Sequence, residues 1–106
     1  MSARLSSIDM DRQQVCVEVD DSISSLSATL RKYGVDHRRS WEPRRLLFPY
    51  ARDMDPDMVE QFARSAVELV DMLPEPGDYP ASARRRFATD LVIVQTYQRE
   101  LAHAEA

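Results

Sequence analysis

The chain of 106 residues has few of the residues that chemistry usually needs. It holds one cysteine, Cys16, which excludes an intramolecular disulfide and any cysteine-rich zinc site. Two glycines, Gly34 and Gly77, are too few for a glycine-rich loop that cradles phosphate. The two histidines, His37 and His103, stand without cysteine or acidic neighbours at metal-ligand spacing. No run of apolar residues is long enough to span a bilayer, and no charged-then-apolar leader opens the chain, so a cytoplasmic protein is expected. Lysine is scarce too: thirteen arginines stand against one lysine, a composition typical of a GC-rich bacterial genome. The acids around "DMDPD" at 53–57 read as a helix-capping cluster, because a Ca²⁺ loop needs a longer pattern that includes glycine. No catalytic, cofactor or metal residue is therefore assigned, and the protein is not expected to be an enzyme.

What is present is a lopsided charge distribution. Net charge is −4 overall, yet residues 1–30 carry −3, 31–52 carry +5, 53–78 carry −7 and 79–106 carry +1. A basic block thus precedes an acidic helix, which allows either internal neutralisation or a partner-facing patch. The length fits one domain, and small domains often gain stability by oligomerising.

The pattern predicts an all-α fold, a small helical domain built around a long antiparallel helical hairpin. Residues 1–13 lack a sustained period and are expected to form a flexible N-terminus, leaving 14–106 as a single helical domain. The alternation in "VCVEV" at 15–19 allows either a short N-terminal strand or a lead-in to a helix. From Asp21 or Ser22 as cap, a helix with the stripe Ile23, Leu26, Leu30 and Tyr33 runs to Gly34, whose left-handed backbone ends it. A second helix starts at the Asp55 cap with Pro56 in its first position. Its apolar residues cover more than half the circumference, which implies several neighbours. Beyond the breaker "PEPGDYP" at 74–80, a third helix runs from about Ala81 to Ala102 with the stripe Phe87, Leu91, Val94 and Leu101. Its "LVIV" at 91–94 is apolar all round, so a homodimer is expected with Leu91, Val92, Ile93, Val94, Val67 and Val70 at its interface.

The stretch "DHRRSWEPRRLLFPY" at 36–50 interleaves the residue types enriched at interface centres. Trp41, Leu46, Leu47, Phe48 and Tyr50, with Arg44 and Arg45, are the candidate contacts with another protein, although at least two of the apolar five should plug the core. The alternative is a small DNA-binding regulator. In that reading 23–42 forms a helix-turn-helix-like unit, with Arg38 and Arg39 facing the major groove. Pro43 and the acidic whole weigh against it.

The segment "AVELVDMLPE" at 66–75, a helix ending in Leu-Pro-Glu before a long returning helix, is similar to the hairpin of quorum-sensing antiactivators of the rhizobial TraM type. The small, acidic, arginine-rich character also resembles the LasR-binding pseudomonad antiactivator. That resemblance implies a non-enzymatic protein that binds a LuxR-type transcription regulator and blocks its dimerisation or DNA binding.

Overall fold

A computed structural model describes residues 2–20, 22–51 and 54–105, with side chains through Arg99. The helix-cap candidate Asp21 and the side chains of Leu101 and His103 lie outside the described residues. The architecture is α+β, which corrects the all-α expectation: the described residues form four antiparallel strands and three α-helices. Strands β1 (Ala3–Asp9), β2 (Gln14–Val19), β3 (Arg38–Arg39) and β4 (Arg45–Pro49) form one sheet in the order β1-β2-β4-β3. Helices α1 (Ile23–Lys32), α2 (Pro56–Asp71) and α3 (Ala81–Glu105) complete it, with a 3₁₀ turn at Pro76–Asp78.

β2 is the central element the alternation allows for. Val15, Val17 and Val19 are fully buried on the helix side, and Leu46 and Phe48 of β4 sit beside them through the pairs Val17–Leu46 and Val15–Phe48. β1 occupies most of the segment expected to be flexible. Its apolar residues escape a period-two reading because a bulge between Leu5 and Ser7 shifts the phase. Leu5 pairs with Val17 and Ile8 with Val15, so both turn toward the helices although they are three residues apart.

α1 ends as its sequence predicts. Gly34 adopts φ 71° and Val35 donates its N–H to the Leu30 carbonyl at 3.0 Å, the glycine-terminated closure of a helix. At the start of α2 the Asp55 carboxylate accepts from the Met58 N–H at 2.9 Å, with Pro56 next in the chain. The wide apolar arc of α2 has several neighbours, all within one chain: β1, β2 and α3. Val70 and Val94 are fully buried in that shared core and Val67, Leu91 and Ile93 are partly buried. Val92 alone of the LVIV run is well exposed, at 60%. The run therefore does not require a second chain to cover it on both sides. Nor does the helix-turn-helix form: after α1 and Gly34 the chain enters β3, so Arg38 and Arg39 lie on a strand where a recognition helix would be needed.

Candidate functional site

The segment 36–50 folds into the β3–β4 hairpin. Arg38 pairs with Leu47 and Arg39 with Leu46, and the Ser40 N–H donates to the Arg45 carbonyl at 3.0 Å. Arg44 turns the chain with φ 61°, a left-handed conformation costly for a residue with a side chain, and its carbonyl accepts from the Val19 N–H at 2.9 Å. The Glu42 N–H bonds the Ser40 hydroxyl at 3.2 Å. These bonds define a connected turn at positions 40–44.

The sheet sorts the candidate contacts into two classes. Leu46, Phe48 and Tyr50 are core: the first two are fully buried, and the Tyr50 ring meets Phe62 at a tilt, 5.7 Å between centroids, and donates its hydroxyl to the Met10 sulfur at 3.4 Å. Burial, and then the nearby Asp9 charge, push the Tyr50 phenol up. These three leave the list of partner contacts, since strand alternation points them at the helices. Leu47 faces the other side of the sheet and is partly buried. Trp41 is 92% exposed; Arg38, Arg39 and Arg44 are exposed too, Arg38 on the Leu47 side of the sheet and Arg39 on the side facing α1, where it and Arg44 line one shallow pocket.

Arg45 belongs to the scaffold of the site. Its guanidinium meets Glu18 at 3.2 Å and also Glu42, while Arg4 meets Glu18 from β1, so one charged ladder ties the open sheet face to the turn. Burial alone would lower the Arg45 pKa, but its bonds to Glu18 and Glu42 outweigh this and raise it. The bonds from Arg4 and Arg45 hold the Glu18 carboxyl below its usual range. Arg39 reaches the Ser24 hydroxyl at 3.3 Å and Arg38 reaches Gln14 at 3.4 Å, both weak contacts at the surface.

Behind the turn, Trp41, Cys16, Leu47 and Arg45 line a cavity of about 180 Å³ on the open sheet face. Cys16 is buried there, and burial pushes its thiol up, away from the thiolate a nucleophile needs. His37 has a structural position. Its Nδ1 lies 3.0 Å from the Val35 carbonyl, which can only accept, so Nδ1 carries a proton, and its Nε2 lies 2.7 Å from the Ser27 hydroxyl. Among the described residues no group of three or more His, Cys, Asp or Glu side chains could hold a metal ion, and no helix is long and apolar enough to cross a membrane.

Of the apolar residues the sequence singles out in this stretch, Trp41 is exposed, Leu47 is partly buried, and Leu46, Phe48 and Tyr50 are buried. Fold and site together define a small α+β domain that displays a tryptophan–arginine hairpin. Compared with known protein families, characterised proteins and solved structures, the chain matches none.

Proposed function

We propose that the protein is a non-enzymatic regulator that acts by binding another protein through the tip of the β3–β4 hairpin. One observation carries this reading: the indole of Trp41 is 92% exposed in a turn tied down by backbone and charge contacts. A tryptophan buries more apolar area than almost any other side chain when it docks, so leaving it in water is costly without a partner. Arg38, Arg39 and Arg44 are exposed on the same hairpin and add positive charge to it, on a chain that is acidic overall. The complementary surface has an apolar socket ringed by carboxylates. Its charges would steer encounter, and the indole would supply affinity of about 2 kcal/mol or more.

In its particular form this is an antiactivator that binds a LuxR-type transcription regulator and blocks its dimerisation or DNA binding. Such a regulator carries out its function by mass action, because a ligand of the monomer depletes the dimer. The test is affinity capture on the full chain from a bacterial lysate, with Trp41→Ala as the matched control, followed by titration of purified LuxR-type regulator. A folded Trp41→Ala variant that loses the captured protein supports the hairpin as contact. Equal capture by both chains overturns it, and binding of duplex DNA at physiological salt that depends on Arg38 and Arg39 would replace it with the DNA-binding reading.

A further inference from the structure

The two edges of the sheet are guarded unequally. β3 is two residues long, and short edge strands offer little to pair with. β1 is seven residues long and no strand pairs with its outer side among the described residues. Beneath that edge lies an apolar groove of about 420 Å³ between β1 and α2, walled by Leu5, Ile8, Ala63 and Val67. Leu5 is 45% exposed and Ile8 36%, both on the helix side of the sheet because of the bulge at Ser6.

We propose that this edge and groove are the contact through which two copies of the chain associate, β1 against β1 and α2 against α2 about a two-fold axis. The occupant is written in the strand itself. Residues 4–9 read Arg-Leu-Ser-Ser-Ile-Asp, which is its own antiparallel complement. An axis between Ser6 and Ser7 sets Leu5 against Ile8 of the second copy and Arg4 against Asp9. The faces agree as well. Arg4 and Asp9 pair with Glu18 and Gln14 on the open side, whereas Leu5 and Ile8 pair with Val17 and Val15 on the helix side. Each pair thus meets across the axis on a common face, the arrangement that stabilises antiparallel neighbours.

The helix below repeats the pattern. Glu60, Arg64 and Glu68 follow one another at four-residue spacing along the groove rim, all exposed. Arg64 has only a loose contact of 3.8 Å with Glu60 in its own helix. The Ala3 N–H bonds the Asp71 carboxylate at 3.0 Å, so β1 starts over the C-terminal end of α2 and the two run in opposite directions. An axis through the centre of β1 therefore passes near the centre of α2. There it brings Arg64 of each copy among the glutamates of the other. An unrelated partner would have no reason to match all three features, whereas a second copy matches them by symmetry. The hairpin sits at the opposite edge of the sheet, so this association leaves both tryptophans free and stands independently of the hairpin reading.

Sedimentation equilibrium of the full chain at micromolar concentration tests it, with circular dichroism checking the fold of each variant. The wild type should give twice the 12.2 kDa chain mass. Ile8→Glu should be a folded monomer. Arg64→Glu makes the rim wholly acidic and Glu60→Arg with Glu68→Arg makes it wholly basic, so each alone should dissociate, and an equimolar mixture should recover a 1:1 heterodimer. A monomeric wild type overturns the proposal. So does a dimer that survives both Ile8→Glu and the charge reversals, or one that dissociates only on Val92→Glu, which would place the contact on the exposed face of α3.

Discussion

Single residues in the 36–50 stretch differ in what they can do because strand geometry sends neighbours to opposite sides. Phe48 is fully buried in the core, whereas Trp41, on the turn, is almost wholly exposed. Replacing Phe62 or Phe48 with Ala should cost about 3–5 kcal/mol in urea unfolding, the usual cost of an emptied aromatic site. Trp41→Ala should change stability by no more than about 0.5 kcal/mol, as for other surface positions without special contacts. Trp41 is also the sole tryptophan of the chain. Intrinsic fluorescence therefore reports on the hairpin tip alone, and it should show the red-shifted, acrylamide-quenchable emission of a hydrated indole. Addition of the true partner should shift that emission to the blue and protect it from quencher. Exposure of the indole was not legible from the sequence. Trp41, Leu46 and Phe48 are all large and apolar, and what separates them is that Trp41 falls in the turn while Leu46 and Phe48 fall on the helix-facing side of β4.

At the scale of elements, α2 and α3 meet around an acid. Asp90 is buried on α3, and its carboxyl is pushed up to about 7. Burial is the largest cause, followed by the hydrogen bond and charge of Glu68 on α2; the Ser65 hydroxyl and Arg86 act in the opposite sense. A carboxyl raised in the folded state binds its proton more tightly there than in the unfolded chain. Its contribution to stability is complete below about pH 4 and is lost as pH rises toward 7. Between those limits the wild type should lose stability through this site as pH increases. Asp90→Asn, which keeps the shape and the ability to donate to Glu68, should flatten that slope. It should be more stable than the wild type at pH 8 by about 1 kcal/mol, measured by thermal melts across the range. At the other end of α2, Asp55→Ala removes the bond to the Met58 N–H and should cost about 1 kcal/mol. The cap was legible because it depends on adjacent residues; the Asp90–Glu68 pair was not, because 22 positions separate its members.

For the whole molecule, the radius of gyration is 12.9 Å, the value expected for a single folded domain of this length. α2 closes on the sheet and α3 closes on α2, and their buried residues belong to one core within the chain. The self-association proposed above uses a surface the core leaves free, the β1 edge with its groove. The separation of roles gives a whole-molecule expectation. Ile8→Glu should leave the affinity of each hairpin for its partner unchanged when measured with immobilised chain at low density, within about twofold, because exposed sites far apart behave additively. Multivalent capture on a dense partner surface should weaken much more, since linked sites raise the effective concentration of the second contact.

The sequence by itself determined the locally encoded parts. These are the glycine stop of α1, the Asp55 cap and Pro56 start of α2, the breaker at 74–80 and the concentration of positive charge in 31–52, while the alternation of 15–19 allowed a strand without requiring one. Each rests on contacts within a few residues, where propensity and capping act directly. Tertiary structure decided the rest. β1 has a bulge that scrambles its period, and its strand state depends on pairing with β2. β3 is two residues that extend only because β4 lies beside them. The apolar run of α3 packs mainly on α2 within the same chain and leaves Val92 outside that contact. Sheets are made by partners distant in the chain, and a two-residue period survives only where no bulge interrupts it. For that reason a four-stranded sheet lay concealed in a sequence whose local signals were nearly all helical.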